Sequence, residues 1–367
     1  MTERELQQYM ASIRGGDEAA MDAARRRQAA LAKPPGSLGK LEDISIRLAG
    51  IGGEVCPTIR KCRVAVFAAD NGVVAEGVSC APQSVTLQQA VNMTRHKTGM
   101  SSLAQSFGDE VQVIDVGIAA DVRCGDIIDR KVRRGTGNIA KEPAMERQEA
   151  LAAIAAGIEA AAAAKKDGVD ALGIGEMGIG NTTTSAAVLA VLLDVPVEQV
   201  TGRGGGLTDA GFQTKKRVLR QALALHRPDK NDVVDVLCTV GGLDIAAMTG
   251  AFLGCAHDRI AAAVDGYISV VAALCAVRLC PAVRNHLFLS HRSFEVGYRL
   301  AAEALGLEPC LALDMRLGEG SGCPLLFRVM EGACGVMANM ATFAEAAIED
   351  DYLAPIRAGD SFTVEGT

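Results

Sequence analysis

The sequence predicts an α/β fold, a parallel sheet flanked by helices, with a small helical domain built from both chain ends. Three observations carry this. Short apolar runs recur along the chain, and most of them end in a turn bearing Gly or Asp. Longer segments with helical periodicity lie between them. The charged segments near both ends stand outside the alternation. Strands alternating with helices imply a parallel sheet covered on both faces.

Residues 1–32 are charged and helical in pattern, and Lys33-Pro34-Pro35-Gly36 breaks that helix because proline lacks a donor and clashes with the preceding turn. Ser37 is the expected cap of the next helix, which ends near Ala49. Strands are expected at 63–69 (RVAVFAA), 111–118 (VQVIDVGI), 171–175 (ALGIG), 259–264 (RIAAAV) and 310–314 (CLALD). Helices are expected at 147–166, 182–193, 208–226, 244–256 and 293–305. The large α/β domain then covers 60–327, the small helical domain 1–49 with 328–350, and 351–367 form a C-terminal tail. Ligands of such sheets sit beyond the carboxyl ends of the strands. Asp70, Glu176, Asp265 and Glu319 all fall just past an expected strand end, so they should converge on one rim.

Composition narrows the function. Hydrophobic residues make up 49% of the 367 and Trp is absent, so Ala, Gly and Val must fill the core, which favours helices packed close to the sheet. The net charge is −7, with no polybasic run, which argues against nucleic acid as a partner. No apolar run reaches membrane-spanning length, and the start MTERELQQYM does not read as a signal peptide. Eleven scattered cysteines without a CxxC read as reduced thiols, placing the protein in the cytoplasm.

The most informative run is Arg316-Leu317-Gly318-Glu319-Gly320-Ser321-Gly322. Glycine lets backbone come close to a ligand. A carboxylate set among glycines can face a flat substrate as a general base; the alternative is a turn with an exposed Glu. Gly173-Ile174-Gly175-Glu176-Met177-Gly178 matches the dinucleotide fingerprint. Against that reading, the following helix runs on to Asp194 and leaves no second strand to present an acid to a ribose. Gly178 to Thr184 opens a helix with free N–H groups and three hydroxyls, a site for one phosphate that is compatible with capping by Asn181 or Thr182. The loop Gly202-Arg203-Gly204-Gly205-Gly206 followed by Lys215-Lys216-Arg217 suits an anion, or else a solvated helix face. The five His are isolated, no acidic cluster suits magnesium and no G-x-S-x-G elbow is present, so neither metal nor cofactor is expected.

Taken together, the ordered segments KPPGSLGKLE (33–42), ADNGVVAEGVS (69–79), VTLQQAVNM (85–93), IDVG (114–117), RGTGNIA (134–140), GIGEMGIGNTT (173–183), VGGLDIAAMTG (240–250), SHRSFEVG (290–297) and MRLGEGSG (315–322) resemble the nicotinate-nucleotide:dimethylbenzimidazole phosphoribosyltransferase (CobT) family of cobalamin synthesis. The resemblance spans almost the whole chain. It implies a Rossmann-like sheet and a homodimer. It implies transfer of phosphoribose from nicotinate mononucleotide to a lower-ligand base, giving α-ribazole 5′-phosphate and nicotinate in nucleotide-loop assembly. Glu319 corresponds to the family's general base, Glu176 to the acid of the GIGEMG segment and Lys215 to the loop lysine. Gly178, Gly180, Asn181, Thr182, Thr183, Gly204, Asp265, Ser293, Gly318 and Gly320 are then nucleotide- and phosphate-binding, and Asp70, Asn71, Ala81, Gln88 and Gln89 base-binding. The chain departs from the family at Gly205, where a Thr is frequent, and at Ala81, where a Ser is found with benzimidazole-type bases. A dinucleotide-dependent oxidoreductase and a non-catalytic partner on the same fold are the competing readings; retention of Glu319, Glu176 and Lys215 speaks against the second.

Overall fold

The computed structural model describes residues 1–354 and 356. Two compact units emerge: Met1–Arg14 with Lys61–Leu326, and Gly15–Arg60 with the described residues from Phe327 onward. The first unit is built on a parallel sheet of six strands: β1 (Cys62–Ala69), β2 (Glu110–Gly117), β3 (Ile127–Asp129), β4 (Ala171–Met177), β5 (Ala261–Val264) and β6 (Leu287–Leu289). Their spatial order is β3-β2-β1-β4-β5-β6. Every residue of β1 and β4 is buried, as central strands covered on both faces require. The strand order reverses between β1 and β4, and a crevice opens at such a reversal beyond the carboxyl ends of the two strands. Phe67 pairs with Glu176 and Ala68 with Met177, so Glu176 stands at that crevice.

Helices cover both faces, and small residues let them come close. The helices Arg147–Lys166 and Leu243–Asp258 cross where each carries a glycine. A Cβ on Gly157 would run into the carbonyl of Ala247, and one on Gly250 into the carbonyl of Ile154.

In the second unit the helices Glu18–Ala30 and Lys40–Gly52 pack together. Lys33 Nζ pairs with Glu42 at 2.6 Å, Gln28 donates to Ser45 at 2.9 Å, and Arg27 donates to the carbonyl of Met337 at 2.7 Å.

Several expectations need correction. Residues 1–14 belong with the large unit and not with 15–49: Leu6 and Ile13 are buried in the large core, and His286 bonds the carbonyl of Arg14 at 3.2 Å. Of the tail expected at 351–367, Pro355 and 357–367 lie outside the described residues. Ser37 does not cap a helix; Gly39, with φ +51°, precedes Lys40 and no side chain caps it. Residues 310–314 form no strand. Cys310 and Leu311 donate to the carbonyls of Leu289 and Ser290 at 3.0 Å, beside the end of β6, and Leu311 bridges His291, but Leu313 is exposed and Asp314 turns to φ +51°, so the pairing goes no further. Beyond the expected elements stand β3 and β6 and the helices Val85–Thr94, Gly99–Phe107, Val233–Val240 and Tyr267–Leu279.

The helix crossing gives a direct test. Gly157→Val puts two methyls against the Ala247 backbone and should destabilise the protein by about 1–3 kcal/mol or more, read as a lower urea midpoint. An unchanged midpoint would show that the crossing is loose.

Candidate active site

The turn after residue 317 takes an unusual path. Gly318, Glu319 and Gly320 have φ of +85°, +65° and +89° in succession. Only glycine adopts this region freely, so Glu319 is held there against its own preference by its surroundings. Asp265, just beyond β5, supplies the restraint: its carboxylate accepts the N–H of Gly320 at 3.1 Å and of Gly322 at 2.7 Å. Gly175 of β4 has no side chain, so the turn lies directly on that strand; a Cβ there would stand 2.6 Å from the carbonyl of Glu319. The Glu319 side chain is nearly buried, and its Oε2 accepts the N–H of Met100 at 3.0 Å, in the first turn of the helix Gly99–Phe107.

A cleft of about 250 Å³ opens before this turn. Glu176 and Met177 form part of its wall, at the end of β4. Glu176 Oε2 accepts from Asn181 Nδ2 at 2.5 Å and Oε1 from the N–H of Glu319 at 3.3 Å. Burial pushes the Glu176 carboxyl up to about 8; the Asn181 amide opposes the rise, and Asp244 and Asp265 add to it. Burial also raises Asp265, while His291, its ring Nδ1 3.8 Å away, works the other way. Gly178 and Gly180 lead into the helix Asn181–Leu193, and Gly204 lies against Thr182 of its first turn, where a Cβ would stand 3.0 Å from the Thr182 Oγ1. Backbone N–H groups at the start of a helix favour an anion. Lys215 is fully buried and reaches the cleft through Thr182, to whose Oγ1 it donates at 2.8 Å. Burial lowers its ammonium to about 8, and the charge of Glu295 opposes that fall.

Among the residues singled out in the sequence, Glu319, Glu176, Gly178, Gly180, Asn181, Thr182, Gly204, Ser293, Gly318, Ala81 and Gln89 line this cleft. Others lie elsewhere. Asp70 is buried and accepts the N–H of Ala119 at 2.8 Å, and Asn71 is buried beside Thr184. Thr183 is fully buried, Gln88 is exposed, Gly320 belongs to the Glu319 turn itself, and Asp265 holds that turn from beneath. Asp194, the acid a dinucleotide fingerprint needs, ends a helix in a left-handed conformation and pairs with Lys230 at 2.8 Å, on no strand end. Glu295, Arg316, Tyr267 and His291 line the cleft without having been singled out, and Asp244 lies behind it. Arg316, Glu295 and His291 sit inside quoted segments; for Arg316 the charge beside the glycines of 318–322 was the available signal.

A family model described as a phosphoribosyltransferase, DBI_PRT, matches residues 13–348. The chain belongs to that family. The nicotinate-nucleotide–dimethylbenzimidazole phosphoribosyltransferase of Clostridium perfringens is 49% identical over 98% of this chain and 99% of its own length. The enzyme of that name from Clostridium tetani is 46% identical over 96% and 98%. A crystal structure of the Thermus thermophilus enzyme superposes with a TM-score of 0.86 at 40% identity, covering 91% of this chain and 99% of that one. The parallel sheet with helices on both faces is therefore the fold of this family. Among the described residues, no helix is long and apolar enough to cross a membrane.

The raised Glu176 has a consequence for stability. The native state keeps a proton that the unfolded chain releases near pH 4.3, so this contribution is lost as pH rises towards about 8. Asp244, raised to about 6, acts in the same direction. The melting temperature should fall between about pH 5 and about pH 8, and Glu176→Gln should flatten that slope. An equal slope in both proteins would refute the assignment. Lys215, lowered to about 8, opposes the trend only above that pH.

Proposed function

We propose that this chain transfers phosphoribose from nicotinate mononucleotide to 5,6-dimethylbenzimidazole or a related base, releasing nicotinate and α-ribazole 5′-phosphate for the nucleotide loop of cobalamin. The observation that carries the reading is Glu319. It is a carboxylate in a strained turn, fixed by Asp265 and Met100, in a cleft that is also lined by the start of the helix Asn181–Leu193. The near full-length match to enzymes of that name supports it.

The chemistry suits these groups. The C1′–N bond to nicotinate breaks and its electron pair returns to the pyridine nitrogen, so the leaving group needs no proton. The free azole nitrogen bonds to C1′ on the opposite face, which inverts the anomer from β to α. The azole's N–H proton passes to Glu319, and the base remains neutral in the product. Glu319 is thus the general base, and holding base and nucleotide in line supplies a further large factor. The phosphate is held by Gly178, Gly180, Thr182, Gly204 and Ser293, with Lys215 behind Thr182 supplying positive charge. Glu176 lies beside the ribose and, protonated near neutral pH, keeps the Asn181 amide and the Glu319 turn in place there. Ala81 and Gln89 form the base side of the cleft. Asp70, Asn71 and Gln88 shape the loops behind and beside it.

The enzyme works as a homodimer in the cytoplasm on this reading. The apolar Phe294, Val296, Leu313 and Leu317, all more than half exposed, offer a surface for a second copy. The eleven cysteines form no disulfide, as a reducing compartment favours.

Product analysis of the protein with nicotinate mononucleotide and a panel of benzimidazoles, adenine and phenols tests the reaction. Glu319→Gln should lower turnover at least about a hundredfold with nucleotide binding kept; near-normal turnover would sink the role of Glu319. Binding of NAD(H) without release of nicotinate would favour the oxidoreductase.

Ala81 lies at the base side of the cleft, its N–H bonded to Ser79 Oγ at 3.2 Å. Ala81→Ser adds a hydroxyl worth on the order of 1 kcal/mol, so the ranking of accepted bases should shift several-fold. The Michaelis constant for nicotinate mononucleotide should hardly move. A fixed ranking with collapsed nucleotide affinity would mean the two substrates are placed the wrong way round.

A further inference from the structure

Asp244 is the second residue of the helix Leu243–Asp258 and is fully buried. It does not line the cleft, yet its hydrogen bonds lead there. Its Oδ1 accepts the N–H of Ile245 at 3.0 Å, and its Oδ2 accepts from Asn181 Nδ2 at 2.9 Å. The same nitrogen donates to Glu176 Oε2 at 2.5 Å. An amide NH₂ has two hydrogens, so two carboxyl groups take up both of them. Glu176 in turn accepts the N–H of Glu319 at 3.3 Å. One continuous chain of hydrogen bonds therefore runs from Asp244 to the backbone of the catalytic base.

Two loops are shaped around this carboxyl. A Cβ at Gly178 would stand 2.7 Å from Asp244 Oδ2, and one at Gly242 would strike Oδ1. A buried carboxyl that makes no ion pair is unfavourable on its own. The charged and polar groups facing it are Asn181, Asp70 and Glu176; those facing Glu176 are Asn181, Asp244, Asp265 and the N–H of Glu319. None of these side chains is a cation. An acid in the first turn of a helix is ordinary, and Oδ1 serves the helix start by accepting from Ile245; the bond of Oδ2 to Asn181 is the part that a helix start does not call for.

We propose that Asp244 is a positioning residue of the transfer reaction: by holding the amide of Asn181 it fixes the Glu176 carboxyl against the 318–319 turn, and with it the stance of Glu319. This rests on the function proposed above. Asp244 also places negative charge next to Glu176, which makes Glu176 bind its proton more tightly. Removing that charge lets Glu176 ionise at lower pH.

The test uses the full chain with Asp244→Asn and Asp244→Ala. Readouts are kcat and KM for nicotinate mononucleotide, the pH profile of kcat, and the titration of Glu176 by carboxyl ¹³C NMR, with Glu176→Gln to assign the signal. Asp244→Ala should lower kcat roughly ten- to hundredfold, as loss of alignment does, while KM changes less than about threefold. Asp244→Asn should move the Glu176 titration, and the matching limb of the kcat profile, to lower pH. A folded Asp244→Ala protein with wild-type kcat, a loss confined to KM, or a Glu176 titration unmoved in Asp244→Asn would overturn the proposal. If Asp244→Ala fails to fold, the near-isosteric Asp244→Asn decides alone. If the wild-type protein releases no nicotinate, the functional reading fails, and the Glu176 titration still decides whether Asp244 governs that carboxyl.

Discussion

The grip of Asp265 on the turn at 318–322 is the restraint on which the site depends. A left-handed conformation at a non-glycine residue costs on the order of 1–3 kcal/mol. Here three residues in succession adopt it, and the middle one is the carboxylate that faces the cleft. Two backbone N–H groups given to one buried carboxylate keep the turn from relaxing. The sheet makes this possible. Asp265 is carried past the end of β5, next to β4, whose Gly175 leaves room for the turn to lie on the strand. The fold thus places the Glu319 carboxylate by backbone geometry, and its side chain needs little freedom.

Ionisable groups crowd the cleft. Beneath the Glu319 turn lie carboxyl groups, Glu176, Asp244 and Asp265, all buried and all raised. Next to Glu176 begins the helix Asn181–Leu193, with Thr182 and, behind it, the buried Lys215, which Glu295 faces. An anionic group held near Thr182 would meet the positive charge of Lys215 and the N–H groups of the helix start. A neutral ligand gains little from it. The arrangement also explains why the lysine is buried: behind Thr182 it contributes its field without filling the space an anion would need.

Much of this was legible in the chain. The central strands and the long helices stood out because apolar periodicity over many residues is a strong signal. The Glu319 turn stood out because three glycines around one acid have few structural explanations. Other parts were hidden for physical reasons. β3 and β6 have three residues each, too few to show a period. The helix Tyr267–Leu279 is apolar on all sides because it is buried on all sides, so it reads as neither helix nor strand. Residues 310–314 read as a strand because their apolar side chains are the same in a loop. Asp70 looked like a cleft residue since it follows β1, but its side chain turns to the neighbouring loop and holds Ala119.

The route by which Asp244 entered the site shows a more general limit. Its helix begins far along the chain from Glu176, and no spacing rule joins them. The link exists only because β4 and the helix Leu243–Asp258 are packed together and both loops carry glycine where they meet. A sequence displays which residues can do chemistry. Which of them restrain the others depends on long-range contact, and that contact is made by small residues whose only signal is the absence of a side chain. In a protein that packs its core with alanine and glycine, much of the catalytic geometry is therefore set at positions that carry no chemistry of their own.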